Sequence, residues 1–338
     1  MMTRTRKIVI LLVVLVLIPV LYGYLKYTHD INYAVDPKDD TEIAFQIKKG
    51  QTAREVAGIL EKQGLITNSG TFYLYMRFNN LGEKMIAGRF FLKKSMTTKE
   101  VARTITDAKN AEAILTIQEG LRTNDIDKKL SEMGLIQQGD FITATKNFDG
   151  WQYYSFLDKD TLSKLEIPIE GYIYPDTYFL NSADFKPTDL IYRAMDNFEN
   201  KFKDLQSKIK RHTINEIITM ASIIENEVYG AENRKIVSGI LWKRLDSRWK
   251  LDADATVLYI TADREITSED LEIDSPYNTR KNGGLPPGPI CNPSIESIEA
   301  AMYPTESDYW FYLTDPKTGE VVYAKTNEEQ NINRQNHL

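Results

Sequence analysis

The sequence is poor in cysteine and histidine. Its 338 residues include one cysteine, Cys291, and three scattered histidines, His29, His212 and His337. One cysteine excludes an internal disulfide, and the lack of a Cys/His cluster argues against a zinc site. Scattered histidines also argue against a Ser-His-Asp triad. A catalytic role for His212 alone stays open at this stage. We therefore expect no metal and no cofactor, and so few thiols suit an oxidising compartment.

An excess of positive charge is also missing. Lysine and arginine number 42 against 48 acidic residues, which gives a net charge of −6. Binding to a nucleic-acid backbone needs clustered positive charge. We therefore expect no nucleic-acid partner, and the balance fits a neutral or zwitterionic ligand such as a glycan.

Long apolar runs are missing except at the N-terminus. Residues 8–25 carry no charge, and three basic residues precede them. This length is close to the ~20 residues that cross a bilayer, and the basic residues favour a cytoplasmic N-terminus. Residues 19–25 lack the small-x-small pattern of a cleaved signal peptide. The sequence thus predicts a cytoplasmic segment 1–7, a single-pass plasma (inner) membrane anchor 8–25, and an extracytoplasmic, periplasmic remainder.

A repeated strand–helix pattern follows the anchor. Residues 26–41 are polar and predict a linker. From Glu42 onward, a short alternating strand, a tight turn and an amphipathic helix recur, so that Gly50 is matched seventy residues later by Gly120. This pattern predicts small α+β units over residues 42–140.

Several helix ends are marked within these units. Thr52 with Glu55, and Thr97 with Glu100, match the capping box in which two side chains satisfy the first free N–H groups of a helix. Gly64 stands where a glycine ends a helix. Helices are therefore expected to begin after each threonine.

The second half of the chain predicts two helices, at 214–229 and 232–246, and a β-hairpin within 309–324. Between them, residues 277–294 are rich in glycine and proline and follow no helix or strand period. Long loops of this kind usually carry function. A purely structural loop remains the alternative at this stage.

Glu225 is the main candidate for chemistry. The run before it is apolar nearly all round, which predicts a buried helix with Glu225 on the face of Ala221 and Ile218. A carboxyl group there loses hydration, which favours the protonated form that a general acid needs. Glu227 points to the opposite side, so the two acids do not form a paired site. The residues alone leave a solvated helix end as the alternative.

Other candidates are weaker. Asp252 and Asp254 are spaced to share a cation, but no third ligand is near them in sequence. Tyrosine occurs 19 times, which suits sugar binding as well as ordinary packing. These features alone indicate an extracytoplasmic enzyme or binding protein.

Five segments together carry a family resemblance. They are E-G-Y-I-Y-P-D-T-Y (170–178), M-A-S-I-I-E-N-E (220–227), D-A-D-A-T-V-L-Y (252–259), D-S-P-Y-N-T (274–279) and G-L-P-P-G-P-I-C-N-P (284–293). With them the chain resembles the MltG/YceG-like endolytic murein transglycosylases, from the anchor to the C-terminus. The resemblance implies an α+β protein with a LysM-like module at 42–110 and a YceG-like catalytic domain at 111–338.

The resemblance also implies a reaction, with Glu225 as the catalytic residue. The family cleaves the β-1,4 bond between N-acetylmuramic acid and N-acetylglucosamine in nascent peptidoglycan strands, leaves a 1,6-anhydro end and is thought to terminate strand elongation. Peptidoglycan synthases are then possible partners. One carboxyl suffices because the sugar's own 6-hydroxyl is the nucleophile, whereas ordinary glycosidases use two. Glu225 would protonate the leaving oxygen and then accept the hydroxyl proton.

Further site residues are expected near Glu225. The substrate-binding residues suggested by the motifs are Glu170, Asp254, Tyr277 and Asn278. Two positions depart from the family pattern, which usually has glutamine at Asp252 and often histidine at Gln330. Gln330 does not titrate as histidine does, although it still forms hydrogen bonds.

Two other functions stay open at this point. A muramidase-type hydrolase would use Asp254 as a second acid to activate water and would leave reducing ends. A non-enzymatic, membrane-tethered glycan-binding protein would use the LysM-like module alone, and the Glu225→Gln change would then have no effect.

Overall fold

The computed structural model describes residues 4–262 and 266–337, with side chains from residue 13 onward. Its mixed helices and strands confirm the α+β class. The chain divides into two compact units, Met1–Ile114 with Phe179–Phe185, and Leu115–Tyr178 with Lys186–Leu338. The boundary at residue 110 between a LysM-like module and a catalytic domain stays a prediction.

The first unit is built on a sheet with strand order β1-β2-β3-β4. Strands β1 and β2 are antiparallel, with Ile43 opposite Leu92 and Ile47 opposite Gly88. The division between the two units falls within β3 and again within β4. The elements are α1 (Arg4–Asn32), β1 (Ile43–Ile47), α2 (Ala53–Lys62), α3 (Ser69–Phe78), β2 (Gly88–Leu92), α4 (Thr98–Thr104), β3 (Glu112–Thr116) and β4 (Thr177–Asn181).

Alternate residues of the strands form the core of this unit. Phe45 and Ile47 of β1 and Phe90 and Leu92 of β2 are buried, as the period of two along a strand requires. They belong to one apolar cluster with the buried faces of α2, α3 and α4. Both predicted capping boxes are present, at the starts of α2 and α4.

Helix α1 continues beyond the predicted anchor. It ends at Asn32, and its last turn contacts the first unit: Ile31 is buried in the core, and the Asp30 carbonyl accepts a hydrogen bond from Thr98 Oγ1 at 2.8 Å. The segment 26–41, predicted as a linker, therefore begins as helix. Within the described part of the chain, no helix combines the length and apolarity needed to cross a membrane. The side chains of 8–12, part of the predicted anchor, lie outside the described residues.

The second unit is mainly helical. Its elements are α5 (Thr123–Glu132), α6 (Asp140–Lys146), α7 (Lys159–Leu162), α8 (Pro187–Gln206), α9 (Ile214–Glu227), α10 (Ala231–Asp246), α11 (Asp254–Thr261), α12 (Ile295–Met302), β5 (Phe311–Thr314), β6 (Val321–Ala324) and α13 (Asn327–His337). Strands β5 and β6 pair antiparallel, which confirms the predicted hairpin.

Helix α9 lies at the centre of the second unit. Thr213 and Glu216 form a capping box at its start, and every residue from Ile217 to Glu225 is buried. It packs against α10, α11 and α12. The prediction of a buried helix that ends near Glu225 is confirmed, and the elements around it supply the surroundings of that carboxyl group.

Candidate active site

The carboxyl group of Glu225 is held from two neighbouring helices. The residue is 7% exposed. Arg234 of α10 donates from Nη2 to Oε1 at 2.7 Å, and the Ser294 backbone N–H donates to Oε2 at 2.8 Å. The Ser294 hydroxyl donates a second hydrogen bond to Oε2. These charge-assisted contacts fix the orientation of the group.

Ser294 has this position because it caps α12. Its Oγ accepts a hydrogen bond from the Ser297 N–H at 3.2 Å, as an N-cap side chain does, so its own proton is directed to Glu225. Helix α12 also packs closely on α9. The carboxyl group therefore lies at the amino end of α12, where the helix dipole is positive.

The side chain of Asn292 forms hydrogen bonds with the loops around Ser294. Its side-chain oxygen accepts from the N–H groups of Gly171 and Ile173 at 3.1 and 2.9 Å. Its amide nitrogen donates to the Leu121 carbonyl at 2.9 Å. All these groups are held by one buried amide, so the segment before α12 has a fixed path without being helix or strand.

The same loop is attached to α9 itself. The Ser222 hydroxyl accepts a hydrogen bond from the Ile290 N–H at 3.0 Å, and the Cys291 thiol lies 3.3 Å from the Ser222 carbonyl. Burial raises the pKa of that thiol well above its usual value. Cys291 is therefore a packed residue of the loop–helix contact.

Glu170 belongs to this loop network. It is 1% exposed, and it accepts hydrogen bonds from the Thr123 N–H and hydroxyl, each at 3.0 Å, at the start of α5. Asn292 Nδ2 is 3.4 Å away. Burial raises the pKa of Glu170 to about 7, although the Thr123 hydrogen bonds lower it. A direct role in substrate binding stays a prediction.

The other predicted binding residues cluster around the start of α11. Asp254 is exposed and accepts from Arg280 Nε at 2.6 Å. The ring of Tyr277 is 4.8 Å from that of Tyr259, and burial raises the pKa of Tyr277 to about 12. Asn278 is buried and donates to two carbonyls of its own loop, at 2.9 and 3.0 Å. Their contact with substrate stays a prediction.

Comparison with known proteins decides the family. The model of the YceG-like family matches residues 45–336. The chain belongs to the YceG-like family. A crystal structure of a yceG-like protein from Listeria monocytogenes is similar, with a TM-score of 0.60 and 32% identity, over 86% of this chain and 99% of that one.

Curated relatives of this YceG-like protein carry an enzyme name. A Bacillus subtilis (strain 168) protein called endolytic murein transglycosylase is 29% identical over 331 residues, which cover 94% of this chain and 90% of the relative. A Streptococcus pneumoniae serotype 2 protein of the same name is 29% identical over 349 residues. The chain spans 62% of that second relative.

Glu227 is separated from Glu225 in this family member. Its Oε1 accepts from the Ala255 N–H of α11 at 3.1 Å, and its Oε2 from the Tyr312 hydroxyl of β5 at 3.0 Å. Burial raises the pKa of Glu227. Within the described residues, the two acids share no hydrogen-bond partner, in agreement with their predicted opposite faces.

The two departures from the family pattern have different surroundings. Gln330 is buried and donates from Nε2 to the Tyr312 carbonyl at 3.1 Å. Asp252 is exposed and has a φ of +57°, in the left-handed region. Across the described residues, no group of three or more His, Cys, Asp or Glu side chains could hold a metal ion.

Arg234, Asn292 and Ser294 were not among the residues predicted from the sequence. The capping role of Ser294 was predictable, since a serine before an apolar run such as that of α12 is a typical N-cap. Asn292 lies within a recognised motif but was given no role. Arg234 had no local signal, because only the turn between α9 and α10 brings it to Glu225.

Proposed function

We propose that this protein is an endolytic peptidoglycan lytic transglycosylase that acts through Glu225. It cleaves the β-1,4 bond between N-acetylmuramic acid and N-acetylglucosamine in nascent glycan strands and leaves 1,6-anhydro ends, which would terminate strand elongation. The observation that carries the proposal is one buried carboxyl group held in a fixed orientation by Ser294 and Arg234, within a family whose relatives bear that enzyme name.

The reaction needs only this one carboxyl group. Glu225 gives its proton to the glycosidic oxygen as the bond from the muramoyl C1 to that oxygen breaks. The muramoyl 6-hydroxyl oxygen then bonds to C1, and its proton returns to the Glu225 carboxylate. Because the nucleophile belongs to the substrate, its attack is intramolecular and no second acid is required to activate water.

The surrounding carboxyl groups support a single-acid mechanism. The Glu227 carboxyl group accepts hydrogen bonds from α11 and β5. Asp254 is exposed and paired with Arg280. We propose that Asp254 and Tyr277 contact the glycan. Glu170 and Asn278, whose polar atoms contact protein groups, act by shaping the loops.

The first unit suggests how the enzyme is placed on its substrate. We propose that residues 42–110 form a LysM-like glycan-binding module, supported by the order β1-α2-α3-β2 and the antiparallel pairing of β1 with β2. We also propose a plasma-membrane anchor at 8–25 with a periplasmic catalytic domain, beside peptidoglycan synthases. Exposed apolar side chains along α1, such as Leu15 and Leu21, support the anchor.

The direct test is product analysis. The purified full-length chain in detergent is incubated with peptidoglycan, and the products are identified by mass spectrometry, beside Glu225→Gln and Glu232→Gln. Glu232 is a suitable control because its side chain is 82% exposed. We expect 1,6-anhydro-muramoyl ends from the wild type and the control, and none from Glu225→Gln.

Other product patterns would replace the proposal. Reducing ends from the wild type would indicate a muramidase-type hydrolase. Binding of glycan without any cleavage, unchanged by Glu225→Gln, would indicate a glycan-binding protein.

A further inference from the structure

Arg234 reaches Glu225 because of the tight turn between α9 and α10. Helix α9 ends at Glu227, and Gly230, with a φ of +87°, reverses the chain before α10 begins. The Arg234 N–H then donates to the Gly230 carbonyl at 3.0 Å. The arginine thus lies in the first turn of α10, directed back towards the carboxyl group at the end of α9.

The contact between these two side chains is largely removed from water. The side chain of Arg234 is 13% exposed and that of Glu225 is 5% exposed. Solvent and salt screen such a pair much less than a surface pair. The guanidinium charge therefore interacts strongly with the carboxyl group.

The two oxygens of Glu225 differ in how many donors they accept. Oε2 accepts two hydrogen bonds, from the Ser294 N–H and hydroxyl, which use both of its lone pairs. In the described structure Oε1 accepts one, from Arg234. The free lone pair is therefore on Oε1, which is the atom able to carry the proton.

One hydrogen-bond donor of Arg234 has no partner among the described residues. Its Nε is buried, and among the described residues it has no hydrogen-bond partner. A buried donor without a partner is costly, so an arginine that served only to join α9 and α10 would be expected to bond fully. Among the described residues, its one charged contact is with Oε1 of Glu225, the oxygen that carries the proton.

We propose that Arg234 is a positioning residue for proton transfer at Oε1 of Glu225; this inference rests on the proposed function. When the proton leaves Oε1 for the glycosidic oxygen, negative charge develops on Oε1, and the guanidinium stabilises it more strongly than it stabilises the neutral acid. A contact that strengthens as charge develops lowers the barrier without tightening substrate binding. The 6-hydroxyl proton then returns to Oε1.

The inference is tested with Arg234→Ala and Arg234→Lys in the full-length chain, measured by the rate of anhydro-end formation on glycan strands. We expect kcat of Arg234→Ala to fall about 100-fold, the size seen when one preorganised donor is removed. KM should change by less than about threefold, because the contact acts after binding. Arg234→Lys, which keeps the charge, should recover part of the loss, and added guanidinium ion should partly restore Arg234→Ala.

Arg211→Ala is the matched control. Arg211 also forms a 2.7 Å ion pair, with Asp246, but its side chain is 69% exposed. It precedes the start of α9, whereas Glu225 lies near the other end of that helix. This variant should keep wild-type kcat and KM. Thermal unfolding of each variant shows whether the fold is kept.

The possible results separate the two claims. A wild-type chain that forms no anhydro ends refutes the proposed function. An active wild type with an inactive Glu225→Gln, but with kcat of Arg234→Ala close to wild type or a change in KM alone, overturns the role of Arg234. If Arg234→Ala does not fold, Arg234→Gln, which removes the charge but keeps a long polar side chain, decides: a fall in kcat of about tenfold or more at unchanged KM supports the role, and wild-type kcat overturns it.

Discussion

Three acids of the second unit accept hydrogen bonds from different parts of the fold. Glu225 accepts from a cation and a helix N-terminus, Glu227 from a backbone amide and a phenol, and Glu170 from a threonine. Each acid thus has its own set of donors.

Glu170 predicts a pH-dependent stability. Its pKa is raised to about 7 in the folded chain from a usual value near 4.5, so the folded state binds the proton more tightly than the unfolded state. Stability is then present below about pH 4.5 and lost as the pH rises towards 7. Glu170→Gln should not show this loss. The unfolding free energy of the variant minus that of the wild type should therefore be roughly 2–3 kcal/mol larger at pH 8 than at pH 4.5.

Urea unfolding at the two pH values measures this change. Glu166→Gln is the control, because Glu166 is close in sequence and its side chain is 87% exposed. An equal difference between Glu170→Gln and wild type at both pH values would contradict the prediction.

The residues that sequence could identify were those with local signals. Glu225 was predictable because the apolar run before it predicts burial, and the capping pair Thr52–Glu55 because it spans one turn. Arg234 and Ser294 were not, since Ser294 is 69 residues from Glu225 and meets it only through the packing of α12 on α9. Partners of this kind depend on tertiary structure.

Among the elements, the repeated strand–turn–helix unit serves two purposes. Gly50 precedes α2 with a φ of +87°, and Gly120 precedes α5 with a φ of +78°. A Cβ at Gly50 would meet no described atom within 4 Å. At Gly120 it would lie 2.9 Å from Asn226 Oδ1 and 3.8 Å from Glu225 Cγ. The turn in the second unit is therefore part of the surroundings of the Glu225 carboxyl group.

This pair of glycines gives a matched prediction. Gly50→Ala and Gly120→Ala both place alanine in the left-handed region, which costs each about 1–2 kcal/mol of stability. Only Gly120→Ala pushes against the end of α9, so its kcat should fall at least about tenfold, because a small misplacement of a catalytic group is costly. Gly50→Ala should retain wild-type kcat.

Denaturant unfolding and anhydro-end formation measure the two effects separately. Equal activity of the two variants would show that the approach of Gly120 to Asn226 has no consequence for the site. The repeat was readable in the sequence, but the second role of its turn was not, because Asn226 is more than a hundred residues away in sequence.

At the scale of the whole molecule, the chain joins a mixed α+β unit to a mainly helical unit that contains the site. Residues Phe179–Phe185 return to the first unit in the middle of the second. This return could not be predicted from the sequence, since a short strand such as β4 is recognised only by the strand with which it pairs. The α+β class itself was predictable, because segments with the two-residue apolar period of a strand are followed by segments with the 3.6-residue period of a helix.

The proposed anchor predicts where the whole protein is found. Full-length chain should stay with the membrane fraction after washing with high salt, and a chain lacking residues 1–25 should be released. The truncated chain should still fold, because Ile31 and the rest of the first core are kept. Release of the full-length chain by salt alone would contradict an anchor that spans the membrane.

The central claim is that Glu225 works alone and that the sugar supplies the nucleophile. Digestion of peptidoglycan in water enriched in oxygen-18, followed by mass spectrometry of the new ends, tests it directly. The account predicts new 1,6-anhydro ends without label, because water takes no part in bond cleavage. Incorporation of one labelled oxygen at each new end would show that water is the nucleophile and would contradict it.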